Sequence, residues 1–155
     1  MCGFCARLES DLQIASFEGA LNDYEQRRKL SLLATDLKAL GLDEDSVRAL
    51  PLCVSLRTCS TAAQAFGTTY VLEGATLGGR ILAPLLQRRL GLTVQQGGRY
   101  ISSYEGHVDR MWQTFVDALN QCCDTAARQA EAAEAAVATF ETLGLWLCPQ
   151  RWSAP

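Results

Sequence analysis

The sequence predicts an all-α bundle folded as one domain. Three observations point there. Each patterned apolar stretch repeats at three and four residues, no stretch alternates as a strand would, and neither an internal repeat nor a long linker divides the 155 residues. With 48% hydrophobic residues, a chain of this length has enough apolar surface for one real core.

In residues 1–15, Phe4, Leu8, Leu12 and Ala15 fall at helical spacing with nothing before Phe4 to cap them, which reads as a helix entered in its middle. Gly19, Asn22 and Asp23 then break the period across 16–24. A helix is predicted from Tyr24 or Glu25 to Leu40, with Leu30, Leu33, Leu37 and Leu40 on one face and Gly41 as its stop. Asp43 caps a short helix to Ala49 ahead of Pro51, and 52–59 is an extended connection. Past the long segment 60–92, residues 93–99 with Gly97 and Gly98 form a loop. A further helix, from Arg99 or Glu105 to Gln121, sets Val108, Met111, Trp112, Phe115, Val116 and Leu119 on its apolar face. The last helix is rich in alanine, starts at a cap on Asp124 and runs to Leu147, with Pro149 ending it.

Residues 60–92 read as one long helix, capped by Ser60, apolar at Ala63, Phe66, Tyr70, Leu77, Ile81, Leu85 and Leu86, and stopped by Gly91. Its interior holds Gly67, Gly74, Gly78 and Gly79. Each costs roughly 1 kcal/mol relative to alanine, so their presence needs a reason. Gly67, Gly74 and Gly78 stand seven and four residues apart and bare one side of the helix, with Val71 and Ala75 between them. Two uses fit this strip: close packing of another helix, or the approach of something flat or bulky. The adjacent Gly78 and Gly79 allow a bend, and Pro84 removes a backbone donor and kinks the last turns.

Residues 70–82, YVLEGATLGGRIL, resemble the distal-helix signature of bacterial biliverdin-producing heme oxygenases, including those that supply chromophore to bacterial phytochromes. The likeness continues upstream through Arg27, Arg28, Lys29, Leu30, Leu32, Leu33, Asp36, Leu37, Leu40, Gly41 and Leu42. Downstream it takes in Ser102, Ser103, Tyr104, Met111, Trp112 and Phe115. The resemblance implies a heme oxygenase-like multi-helical bundle in which the glycines let one helix pass over the face of heme, the substrate. Gly74, Gly78 and Gly79 would then be the catalytic distal wall, and Tyr70, Gly74, Ala75, Gly78 and Gly79 the residues touching heme. Tyr70 fits a pocket edge and ordinary core packing alike. Relatives open heme to biliverdin, iron and carbon monoxide, with electrons from a separate reductase or ferredoxin. Where the family often has a polar residue after the first glycine, this chain has Ala75; Thr76 and Glu73 lie off the strip, which leaves backbone groups near Gly74 and Gly78 as contacts.

In that family the helix bearing the iron-ligating histidine precedes the point matched by residue 1. The expectation is therefore a domain incomplete at its N-terminus, with weak or absent turnover and an uncovered apolar face open to self-association. The alternative is a non-catalytic helical heme-binding or protein-interaction module.

A net charge of -3 and a pI near 5.1 exclude a nucleic-acid partner, because no face has the sustained basic excess that phosphate neutralisation needs. No run is apolar enough for a membrane span, and no secretory signal opens the chain, so a cytoplasmic protein is expected. The seven cysteines then read as thiols, mostly buried and inert. Arg80, Arg88, Arg89 and the trio Arg27, Arg28 and Lys29 read either as solvated faces or as holders of propionate carboxylates. His107, the single histidine, is a surface residue or a replacement iron ligand. Cys2 and Cys5 have metal spacing without a second ligand pair, so no metal is expected; vicinal Cys122 and Cys123 read as small buried residues. Cys148 before Pro149 resembles the dipeptide of heme-responsive regulators, and a helix end explains it equally. Neither a Ser/His/Asp triad nor a phosphate loop can be assembled.

Overall fold

The longest helix, Ala62–Leu90, runs through the middle of the molecule, and the other elements are placed by what they bury against it. The computed structural model describes residues 1–148, apart from the side chains of Ile14 and Ala15. Among these residues seven α-helices follow one another without a strand: α1 (Cys2–Asp11), α2 (Tyr24–Arg27), α3 (Leu30–Ala39), α4 (Glu44–Arg48), α5 (Ala62–Leu90), α6 (Val108–Cys122) and α7 (Ala126–Leu147). A 3-10 turn at Ile14–Phe17 follows α1. The fold is thus the all-α bundle that the apolar spacing predicts.

Aromatic rings tie the layers together. Phe4 and Leu8 of α1, Phe17, Phe66 of α5 and Phe115 of α6 are all buried. Phe17 meets Phe66 edge-on at 5.1 Å, and Phe66 lies 5.7 Å from Phe115. Each such ring contributes roughly 2–3 kcal/mol by leaving water. The first half of α5 is covered by α6 and α7, and α1 packs on α3.

Several expected boundaries move. Helix α1 stops at Asp11 rather than near residue 15, because Leu12, itself buried, turns extended. The single helix expected over 24–40 is two. Arg28 is extended at ψ 137°, and the amides of Lys29 and Leu30 are taken up by the Glu9 carboxylate of α1 at 2.5 and 2.9 Å. A cap from another helix starts α3 afresh there. On α3, Leu33 is buried while Leu40 stays about half exposed over Gly97.

Asp43 caps α4 as expected, accepting the Ser46 amide at 2.7 Å. For α5 the cap is Thr61 rather than Ser60: the Thr61 hydroxyl accepts the Gln64 amide, and the Gln64 side chain reaches back to the Ser60 amide at 2.8 Å. That reciprocal pair satisfies two donors where Ser60 alone would satisfy one. Thr125 likewise displaces Asp124 as the cap of α7. Helix α5 continues through Pro84 to Gly91, whose left-handed φ of 69° closes it. Helix α6 begins only at Val108, since Tyr104, Glu105 and Gly106 all have positive φ and cannot be helical. The stop expected at Pro149 lies outside the described residues. No helix among those described is long and apolar enough to cross a membrane.

Candidate functional site

The glycines of α5 fall on one stripe by spacing, yet the fold uses them in two ways. At Gly67 an added Cβ would overlap the Ala132 carbonyl oxygen of α7, and at Gly79 it would overlap the Ile101 carbonyl oxygen. Both are buried, and their bareness admits neighbouring backbone. At Gly74 an added Cβ would come only to ordinary contact, 3.9 Å from the Trp112 ring, and at Gly78 it would meet nothing within 4 Å. The expected strip is therefore filled at its first glycine and open at the next two.

Around Gly74 and Gly78 the surface is apolar. Tyr70 is half-buried with its ring 5.3 Å from Trp112, Ala75 is exposed, and Leu77 is half-buried. Ile81 is 77% exposed and Leu85 39%, so this stretch of the apolar face has no cover. Tyr70 also borders a groove of about 450 Å³ between α5, α6 and α7, lined by Gly67, Leu119, Ala132, Ala136 and Phe140. Open glycines and groove meet at Tyr70, one helical turn before Gly74.

The sequence reading missed a charged interior on another flank of the same helix. Glu73 is 1% exposed; its Oε2 accepts from Arg27 Nη1 at 2.6 Å, and its Oε1 accepts from the Tyr104 hydroxyl at 2.7 Å. Lys29 Nζ stands 3.3 Å from Oε1 and 3.8 Å above the Tyr104 ring. Arg27 also donates to Asp23 and to the Met111 carbonyl. Burial pushes the Tyr104 phenol well up, with Glu73 adding to it, and pulls the Lys29 ammonium down. Arg27 and Lys29 are thus neither solvated nor propionate holders. Full burial of two cations is tolerable only because carboxylates and carbonyls meet them. A signal was present: Glu73 is the sole charged residue between Arg57 and Arg80.

The remaining candidates scatter. Arg28 pairs with Glu9 and Glu25, and Arg80 pairs with Asp109. Arg88 and Arg89 are exposed in the last turn of α5. Thr76 turns inward and donates to the Glu73 carbonyl at 2.6 Å. His107 is exposed at the head of α6. All seven thiols are free; burial raises Cys5 to about 12 and Cys123 to about 11, which leaves both protonated and unreactive. Cys148 is exposed just after α7, and Cys2 and Cys59 are half-buried. No three metal-ligating side chains converge among the described residues.

Fold and site together define an all-helical protein built on a glycine-interrupted helix that turns a bare apolar face outward. The heme oxygenase family model matches residues 8–147, and the chain belongs to that family. It is also similar to a heme oxygenase of Xanthomonas campestris pv. campestris (strain 8004), 31% identical over 139 residues that cover 82% of this chain and 77% of that protein. No solved structure gives a match.

Proposed function

We propose that this protein holds heme, as substrate, against the open face of α5 and takes part in its oxidative cleavage to biliverdin, iron and carbon monoxide. It would do so as a member of the phytochrome-associated bacterial branch that residues 70–82 resemble. The observation that carries the reading is that Gly78 faces open space and Gly74 meets only the Trp112 ring, each at a cost of roughly 1 kcal/mol in helix stability, where no neighbouring backbone requires it. A flat ring can approach the backbone at these two positions and nowhere else along the helix interior, because Gly67 and Gly79 are taken. Tyr70, Trp112 and the groove beyond offer apolar walls, and Ala75 borders the face. Gly79 serves by seating Ile101 behind it. Electrons come from a separate reductase or ferredoxin, and the protein acts in the cytoplasm.

Hemin titration of the whole chain tests this. A Soret shift saturating near one equivalent is expected, and Gly78→Val or Gly74→Val should weaken binding about tenfold or more, as a branched side chain removes ring contact. Equal hemin affinity in the wild type and both variants would refute the site. His107→Ala, on the same titration, reads whether that residue touches iron.

A non-catalytic reading is favoured by one observation: Ile81, Leu90, Val137 and Phe140 are all at least half exposed. A second copy of the chain covering these residues would make a dimer in light scattering, and a monomer at all concentrations excludes it.

A further inference from the structure

The segment 99–107 is a strap bound to α3 at its start and to the flank of α5 at two points. Asp36 of α3 accepts the amides of Arg99 and Tyr100 at 2.8 and 2.7 Å. The Ile101 carbonyl sits on the bare backbone of Gly79. Tyr104 then adopts φ 68° and Glu105 φ 37°, a left-handed run that non-glycine residues enter only at a cost and that persists where contacts impose it. The imposing contact is the Tyr104 hydroxyl on buried Glu73, with Lys29 stacked over the ring. Glu73 and Gly79 are six residues apart, which places them roughly 120° apart around the helix axis. The strap grips α5 from both, and Gly74 and Gly78 lie in the arc left over.

Beyond Glu73 only Thr76 and Gly79 of α5 are buried, and Gly79 is covered by the strap itself. We propose that Glu73 and Tyr104 form a latch that fixes how far α5 is rolled, and that both are positioning residues for heme on the face bearing Gly74 and Gly78. The inference rests on the heme reading above. Arg27 and Lys29 hold the Glu73 carboxylate where it meets Tyr104; Asp23 in turn holds Arg27.

The decisive variant is Tyr104→Phe in the 155-residue chain, since it deletes one hydroxyl and leaves the ring under Lys29. Hemin dissociation, followed by transfer to excess apomyoglobin, should quicken about tenfold, as expected for losing one hydrogen bond to a charged acceptor, and the Soret band should shift while the helical circular dichroism is unchanged. Glu73→Gln should do the same or more. If Glu73→Gln fails to fold, Tyr104→Phe decides alone. A lower melting temperature with wild-type Soret band and wild-type dissociation would make the latch purely structural and overturn the proposal. If the wild type takes up no hemin, the heme reading fails by itself, and amide hydrogen exchange decides the latch. In Tyr104→Phe the amides of Gly74 and Gly78 should exchange about tenfold faster, with those of α7 unchanged, and equal exchange overturns it.

Discussion

The two halves of α5 are the same helix under opposite constraints. From Ala62 to Glu73 nearly every residue is buried, and even Gly67 is occupied by another chain segment's carbonyl. From Gly74 onward the helix carries Ile81 at 77% exposure and Leu90 at 66%, and Gly78 looks onto nothing. Gly67 in the first half is a packing device, as is Gly79 under Ile101; Gly74 and Gly78 lower helix stability with no backbone seated on them in return. The contrast teaches that a small residue in a helix is informative only with its neighbour in view. Spacing put Gly67, Gly74 and Gly78 on one stripe, and only the position of α7 separates them.

The largest expected effect falls in the covered half. Gly67→Ala forces a Cβ into the Ala132 carbonyl, which is backbone and cannot swing aside. It should cost about 3 kcal/mol or prevent folding, read by chemical denaturation. A variant as stable as wild type would break the comparison at its root.

Alkaline titration probes the packing around α5 more gently. Burial raises the phenols of Tyr24, Tyr100 and Tyr104 above their ordinary value of 10, so the folded state binds protons that the unfolded state has already released. Their contribution to stability is complete below pH 10 and is lost as pH rises through the folded values. Lys29, lowered by burial, acts in the other sense, gaining stability as pH climbs toward its ordinary 10.5. Phenolate absorbance should therefore appear together with unfolding. Phenolate signal from all three tyrosines in an intact helical fold would contradict their burial.

The smallest effect is the most discriminating. Gly78→Ala should raise stability by roughly 0.5–1 kcal/mol, since the added methyl meets nothing and alanine is the better helix former. Hemin affinity should fall in the same variant. Stabilisation with unchanged hemin binding would leave the open half as plain exposed surface.

Much of this was legible in the chain itself. The all-α class, the cap at Asp43, the stop at Gly91 and the family follow from periodicity, local cap chemistry and residues 70–82. What was hidden depends on groups distant in sequence. The break between α2 and α3 is made by Glu9, nineteen to twenty-one residues earlier. The burial of Arg27 and Lys29 is made by Glu73, 46 residues from Arg27. Ser60 and Asp124 were plausible caps, and each lost to the next residue, a threonine whose hydroxyl reaches the third amide along. The apolar spacing of Ile81 and Leu85 left their cover open, because periodicity records amphipathicity and says nothing of whether a partner arrives.

The Glu9 carboxylate has a bearing on how the molecule assembles. Lys29, at the head of α3, supplies no side-chain cap of its own, so the first turn of that helix closes only when α1 has docked and lent it an acceptor. Neither helix is long enough to persist alone in water. Formation of the two is consequently one event rather than two, and a fragment lacking α1 would carry a frayed, largely unwound segment where α3 should stand.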